Sequence, residues 1–407
     1  MRIPLNDLLF ALSKALDFVE RELLSVTTNH GKRVAYVSAR VCRAMGLEER
    51  DIFDMACCAV LHDNALTQYM HGAGPDGLSR LENFKSHCER GEENALSFPF
   101  AGDPSGIILY HHENWDGSGF FHLAGEAIPL RAGVLRLADN MDLALRMGDG
   151  RGGLIDAIRQ HALRFKGVLY PPAAVEALLE VLDADFIRAM TDENISAALK
   201  GLLPSIRVDL STEQVLRLCS VFAFIIDAKS PFTMNHSTGV AERVAQLARS
   251  YGLDPEHRDK LVVAAYLHDV GKLAIPPGIL EKNGPLDAQE WNVMRNHAAV
   301  TAEILGEVPG LEDLAAWAAE HHEKLNGQGY PFGLGREELS FESRLLACCD
   351  IYQALTENRP YRRGMDHGKA MVILNDMVAR GELDEAIAAH VGEVFAAEVQ
   401  EEGRCCV

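Results

Sequence analysis

The sequence predicts an all-α protein built from two tandem helical-bundle domains. Three observations predict it. Apolar residues recur at helical period, no run of alternating strand residues stands out, and one ordered series of His and Asp residues occurs twice.

Taken in order, Leu5, Leu8, Leu9, Leu12 and Leu16 form a first helical stripe. The first His/Asp series follows: His30, His62-Asp63, His87, His111-His112 and Asp139. Leu154 to Pro204 reads as helical, with breaks at Pro171-Pro172 and Gly201, and as the tail of the first domain running into a linker. Leu202-Leu203-Pro204-Ser205 is the expected boundary, giving domains 1–204 and 205–407. Ser211 and Gln214 form a capping-box pair that opens a helix carrying Val215, Leu218, Phe222, Ile225 and Ile226. The second series begins at His236, on a helix striped by Val240, Val244, Leu247 and Ala248. It continues with His268-Asp269, His297, His321-His322 and Asp350. Short β pieces near the glycine-rich loops are left open.

The spacings make this a duplication. His30 to His62 and His236 to His268 are both 32 positions; His87 to His111 and His297 to His321 are both 24. His112 to Asp139 is 27 against 28 for His322 to Asp350; the middle gap differs most, 25 against 29. The run from His111 to Phe120 aligns with the run from His321 to Tyr330. These are two large copies, not the short repeat of a solenoid.

Composition sets bounds. A chain of 407 residues, 48% apolar, can bury two or three cores. A net charge of −20 argues against a general DNA or RNA binder, which needs a basic footprint, but leaves room for a small anion held by local cations. No stretch is apolar enough to span a bilayer, and Met1 to Phe10 lacks a signal-like run, so a cytoplasmic protein is expected. Nine cysteines include the pairs Cys57-Cys58, Cys348-Cys349 and Cys405-Cys406, but no C-x-x-C spacing, and read as reduced core thiols. Glu398 to Glu402 reads as a solvated helix end.

Taken singly, each histidine reads as an ordinary core or surface residue. As a series, ten of the sixteen histidines would have to fall by chance into two registered copies. Adjacent helical residues lie about 100° apart, so His268-Asp269 and His321-His322 can face one cavity yet serve two neighbouring ions. Imidazole with carboxylate suits iron, manganese or zinc better than calcium or magnesium. Two such ions can clamp both oxygens of a phosphoryl displacement.

The C-terminal motifs carry a family resemblance. They are Ser230-Pro231-Phe232-Thr233 before His236-Ser237, then His268-Asp269-Val270-Gly271-Lys272, His297, His321-His322-Glu323 with Gly329-Tyr330-Pro331, Asp350, and Arg359-Pro360-Tyr361-Arg362. Residues 211 to 370 resemble an HD-GYP domain, the cyclic-dinucleotide-hydrolysing branch of the HD metal-dependent phosphohydrolases. Residues 20 to 150 resemble a diverged HD domain. By position, the resemblance implies that His236, His268, Asp269 and Asp350 hold a first ion, with Asp269 bridging, and that His297, His321 and His322 hold a second. It implies iron or manganese, catalytic roles for Asp269 and Lys272, and substrate contacts from Lys272, Tyr330, Arg359 and Arg362. Phe232 stands where some members carry a glutamate for a third ion, which favours two ions here. Asn326 and Gln353 replace residues that are usually and often Asp, so tuning is expected rather than loss.

The N-terminal copy keeps His30, His62, Asp63, His87, His111, His112 and Asp139 as a second set of metal candidates. It has Leu66 in place of Lys272, Phe120-Phe121 in place of Tyr330-Pro331, and no Arg-Pro-Tyr-Arg run. A structural or regulatory metal domain and a relic that packs against its neighbour are expected together, and a second hydrolase with another substrate is the competing reading. The resemblance thus implies hydrolysis of a cyclic dinucleotide, cyclic di-GMP first and hybrid 3′,3′-cyclic GMP–AMP second. A non-catalytic signalling scaffold is the alternative, and a general nucleotide phosphohydrolase a third reading. A homodimer or a signalling partner is left open.

Overall fold

The computed structural model describes residues 5–24, 28–69, 81–149, 152–204, 210–230, 235–358 and 363–405; Arg359, Arg362, Phe232 and Cys406 lie outside them. The fold is helical: among the described residues there is no strand, only the isolated bridges Lys166–Tyr170 and Asn326–Gly335. The second bridge lies in the glycine-rich loop where short β pieces were left open. The chain divides into two compact units, Pro4–Val208 and Asp209–Val407.

In the first unit the helix His30–Ala44 is the centre: twelve of its fifteen residues are buried. Around it pack the helices Glu49–Leu61, Leu130–Leu145, Pro172–Val181 and Ile195–Leu202. Leu8, Leu9, Leu12 and Leu16 of the helix Leu5–Leu24 are buried, as their spacing predicts. The stretch after Leu154 differs from the expected tail. It forms four helices, and Gly201 does not break the last of them. Ile195 and Leu199 bury one face, while Lys32 donates to Ser196 Oγ (3.2 Å) and Arg43 to the Leu202 carbonyl (2.9 Å). An apolar stripe with anchoring hydrogen bonds makes this segment part of the unit's core rather than a spacer.

In the second unit the helix His236–Ser250 packs on Pro255–Leu267 and Phe341–Thr356. Thr212–Asp227 lies on Pro255–Leu267, opened by the expected capping box of Ser211 and Gln214. Ala288–Leu305 carries its own box, Asp287 with Glu290. Asp254, Ser340 and Asp366 cap three further helices, each cap contributing about 1 kcal/mol. Seven cysteines, the pairs 57-58 and 348-349 among them, are buried free thiols. Among the described residues no helix is long and apolar enough to cross a membrane.

Candidate metal centres

Each copy delivers its candidates from the same places in the bundle. His30 and His236 are the first residues of buried helices, each preceded by an asparagine in the left-handed region (Asn29, φ 62°; Asn235, φ 68°). Asparagine tolerates that conformation better than other non-glycine residues, and here it turns the chain so that the next residue faces inward. His62-Asp63 and His268-Asp269 follow directly on the ends of Glu49–Leu61 and Pro255–Leu267. His87 and His297 sit within Leu81–Ala95 and Ala288–Leu305, and Asp139 and Asp350 within Leu130–Leu145 and Phe341–Thr356. His111-His112 and His321-His322 lie in turns, their paired rings tilted against each other with centroids 3.9 Å apart in both copies.

The C-terminal candidates converge. His236 Nε2 lies 3.0 Å from Asp350 Oδ1, and His268 Nε2 lies 3.2 Å from Asp269 Oδ2. The other Asp269 oxygen faces His297 Nε2 (3.5 Å) and His321 Nε2 (3.8 Å). His297, His321 and His322 bring their ring nitrogens together, as do His236 and His268 with Asp350. Asp269 thus stands between two donor groups with one oxygen toward each.

Backbone contacts select the nitrogen each ring presents. Nδ1 of His268, His297 and His321 donates to the carbonyl three residues back (Ala265, Met294 and Ala318), each at 2.7 Å. That places the lone pair on Nε2, and these three buried Nε2 atoms and Asp269 Oδ1 have no hydrogen-bond partner. Leaving so many buried polar atoms unpaired is costly, at roughly 1–3 kcal/mol each, unless a cation completes them. The donor set fits a divalent transition-metal ion on this ground.

Electrostatics agrees. Burial disfavours charge on His297 and His322 and lowers them to about 4 and about 3, so both are neutral donors at pH 7. Burial also opposes charge on Asp269, but His268 and Lys272 outweigh it and hold the carboxyl well below the usual range. Lys272, in the 3-10 turn Val270–Ala274, places Nζ 2.5 Å from Asp269 Oδ2. Tyr330 lies with its ring 4.8 Å from that of His322.

Other residues of this shell position the candidates, and Glu357 among them carries no signal in the sequence motifs. Glu357 accepts from His236 Nδ1 at 2.9 Å. In the N-terminal copy the matching ring nitrogen, His30 Nδ1, pairs with Asp142 at 2.7 Å, and Asp142 also takes the buried Arg33 (2.8 Å). The positions of Arg33 and Asp142 are Gly239 and Gln353 in the second copy. A Cβ at 239 would overlap the Gln353 amide. The carboxylate has moved one turn along the helix, to Glu357, which accounts for the amide at 353. Glu323 is buried and accepts loop N–H groups from Phe332 (2.6 Å), Gly333 (3.0 Å) and Leu334 (3.0 Å); Glu113 does the same for Phe121 and Leu123. Asn326 Oδ1 accepts from Gln328 N (3.0 Å), as Asp116 does from Ser118 N, so amide and acid close the same turn. Trp291, 46% exposed, lies with its ring 6.4 Å from that of Tyr330.

The N-terminal candidates also converge. His30 Nε2 lies 3.4 Å from Asp139, His62 Nε2 3.4 Å from Asp63, and His87 Nε2 3.1 Å from the other Asp63 oxygen. The Nε2 atoms of His30, His62, His87 and His111 are buried without a hydrogen-bond partner. Glu20 adds a buried carboxyl beside this set, lifted to about 7 by its burial.

Helical bundles that gather His and Asp donors around a buried centre with a lysine at its rim define a metal-dependent phosphohydrolase class of fold and site. A family model, the HD domain, matches residues 19–159 and 220–387. The chain belongs to the HD domain family, with the HD-GYP signature in its C-terminal copy and a diverged HD domain in its N-terminal one. It is 31% identical over 398 residues (95% of this chain, 90% of the relative) to 3′3′-cGAMP-specific phosphodiesterase 1 of Vibrio cholerae. It is 34% identical to phosphodiesterase 3 of that set, over 72% of this chain and 64% of the relative. A cyclic di-GMP phosphodiesterase of Pseudomonas aeruginosa is 33% identical over 46% of each chain. A crystal structure of a Vibrio cholerae cyclic GMP-AMP-specific phosphodiesterase superposes with a TM-score of 0.69 at 26% identity, covering 97% of this chain and 98% of that one.

Proposed function

We propose that the C-terminal centre hydrolyses a phosphodiester of a bacterial cyclic dinucleotide, using two divalent ions, iron or manganese. The observation that carries this reading is the converging donor set: unpartnered buried Nε2 atoms on either side of Asp269, with Lys272 at its edge. His236, His268, Asp269 and Asp350 would hold one ion, and His297, His321 and His322 the other, with Asp269 shared. Bound there, the ions supply Lewis acidity toward a phosphoryl oxygen and lower the pKa of a water molecule.

The chain's own residues do the rest. The backbone-anchored rings hold their lone pairs in one direction, so little reorganisation is needed on loading. Lys272, whose charge Asp269 sustains against burial, neutralises a phosphate oxygen or orients the attacking water. The water oxygen bonds to phosphorus, the P–O3′ bond breaks, and the ring opens to a linear dinucleotide. Tyr330 and the exposed face of Trp291 offer apolar surface to a base. Arg359 and Arg362 are the proposed grips on the second phosphate or the guanine faces. The N-terminal copy is proposed as structural or regulatory, and the protein as cytoplasmic.

The relatives matched across both copies act on 3′3′-cGAMP, whereas the cyclic di-GMP enzyme matches less than half of the chain. That supports putting the hybrid dinucleotide ahead of cyclic di-GMP, the reverse of the order taken from the family resemblance. The test is hydrolysis of cyclic GMP–AMP, cyclic di-GMP and cyclic di-AMP by protein purified without oxygen and supplied with Fe(II) or Mn(II), beside Asp269→Ala. Turnover of the hybrid first, lost in Asp269→Ala, is expected. No turnover of any of the three by metal-loaded protein would leave the signalling scaffold as the reading.

A further inference from the structure

The two copies differ at one position that changes what the N-terminal centre can hold. Three residues before the metal-candidate aspartate, on equivalent helices, the C-terminal copy has the buried Ala347 and the N-terminal copy has Arg136. Arg136 Nη1 donates to His112 Nδ1 at 3.2 Å, and Nη2 donates to Asn114 Oδ1 at 3.2 Å. A nitrogen that accepts from a guanidinium must carry the lone pair, so neutral His112 holds its proton on Nε2. The one lone pair of neutral His112 is then engaged by Arg136, and its other nitrogen carries the proton, so neither is open to an ion while that contact holds. His87, His111 and His112 still stand as close as their C-terminal counterparts, but proximity alone does not make His112 a donor. A permanent guanidinium charge beside these rings also repels a second dication.

A cavity of about 280 Å³ opens over this centre, lined by Asp63, His87, His112, Arg136 and Asp139 with Leu66, Leu143 and Phe120. The Arg136 Nε–H is buried and has no partner. The cation that Leu66 removes, where Lys272 stands in the other copy, is restored from a different helix. The volume lies at the small end for ligand pockets, roughly 300–1,000 Å³, which suits one phosphate with a small apolar group.

We propose that the N-terminal copy is a one-ion centre in which the Arg136 guanidinium takes the place of the second cation, making a site for a small phosphate ester. The ion sits with His30, His62, Asp63 and Asp139, and the phosphate lies between it and Arg136. The apolar wall of Leu66, Leu143 and Phe120 receives the ester group. From the reading above it takes only that the C-terminal set holds two ions.

The test uses the full chain with both C-terminal donor groups disabled by His268→Ala, Asp269→Ala, His297→Ala and His321→Ala, so its outcome is independent of the phosphodiesterase reading. Elemental analysis after Mn(II) loading should find one ion per chain, with the electron paramagnetic resonance spectrum of isolated Mn(II). Adding Arg136→Ala should admit a second ion and give an exchange-coupled spectrum; Arg136→Lys should stay at one. At one equivalent of Mn(II), inorganic phosphate should bind at least about tenfold more weakly to Arg136→Ala than to its parent in calorimetry. Two coupled ions with Arg136 in place, no ion at all, or phosphate affinity unchanged by Arg136→Ala would each overturn the proposal. The ion count with Arg136 intact decides even if Arg136→Ala fails to fold.

Discussion

Which nitrogen a histidine offers a metal is set by what occupies the other. In this chain the occupant varies: a backbone carbonyl for His268, His297 and His321, a carboxylate for His236 and His30. Glu357 is therefore a positioning residue for the proposed first ion. Glu357→Ala should weaken Mn(II) binding to the C-terminal set by about 10–100-fold. Calorimetric titration of the chelator-treated protein checks it; unchanged affinity would mean that Glu357 does not orient His236. The ligand residue types were legible in the sequence because chemistry and spacing are local properties. Glu357 was not, since its partner lies 121 positions away and the usual position for such an acid holds Gln353.

At the scale of elements, the glycine-rich loop after His321-His322 is held by one side chain. Glu323 collects three loop N–H groups, and Gly329 passes so close that a Cβ would overlap the Glu323 backbone. Gly329→Ala should push the loop, and with it Tyr330, away from His322. The expected result is a fall in kcat/KM of at least about tenfold with metal content unchanged, because no donor residue moves. Elemental analysis beside steady-state rates separates the two; loss of metal would place the loop in the ion-binding set itself. Helical stripes were readable here because burial follows a 3.6-residue period, and Val240, Val244, Leu247 and Ala248 are all buried. Inside 154–204 the break at Pro171-Pro172 was readable too, but Gly201 breaks no helix, because the packing of Ile195 and Leu199 against a distant helix overrides it.

At the scale of the molecule, a metal-free chain carries two opposed sets of histidines. Burial lowers His111, His297 and His322 to about 3 to 4, so below pH 6.5 the unfolded chain binds protons that the folded chain does not, and stability falls with acid. Carboxylates outweigh burial at His62 and His236 and raise them to about 9 and about 10, so their contribution is complete below 6.5 and is lost as the pH rises through those values. The melting temperature of chelator-treated protein should therefore peak near neutral pH and fall toward pH 5 and toward pH 10. A steady climb from pH 5 to pH 9 would contradict the charged state of His62 and His236, and no fall toward pH 5 would contradict the buried-neutral assignment. Asp63→Ala, in the first unit, should leave cyclic dinucleotide hydrolysis largely intact; its abolition would make the N-terminal centre part of the catalytic machinery.

The sequence by itself determined the helical class, the duplication and the two donor series, because periodicity, spacing and side-chain chemistry are written along the chain. The tertiary structure decided which nitrogen each ring presents, which carboxylate orients His236, and that Arg136 reaches His112 in one copy only. Those choices are made by contacts between residues far apart in sequence, where one hydrogen bond to an imidazole changes it from an ion donor to a proton donor.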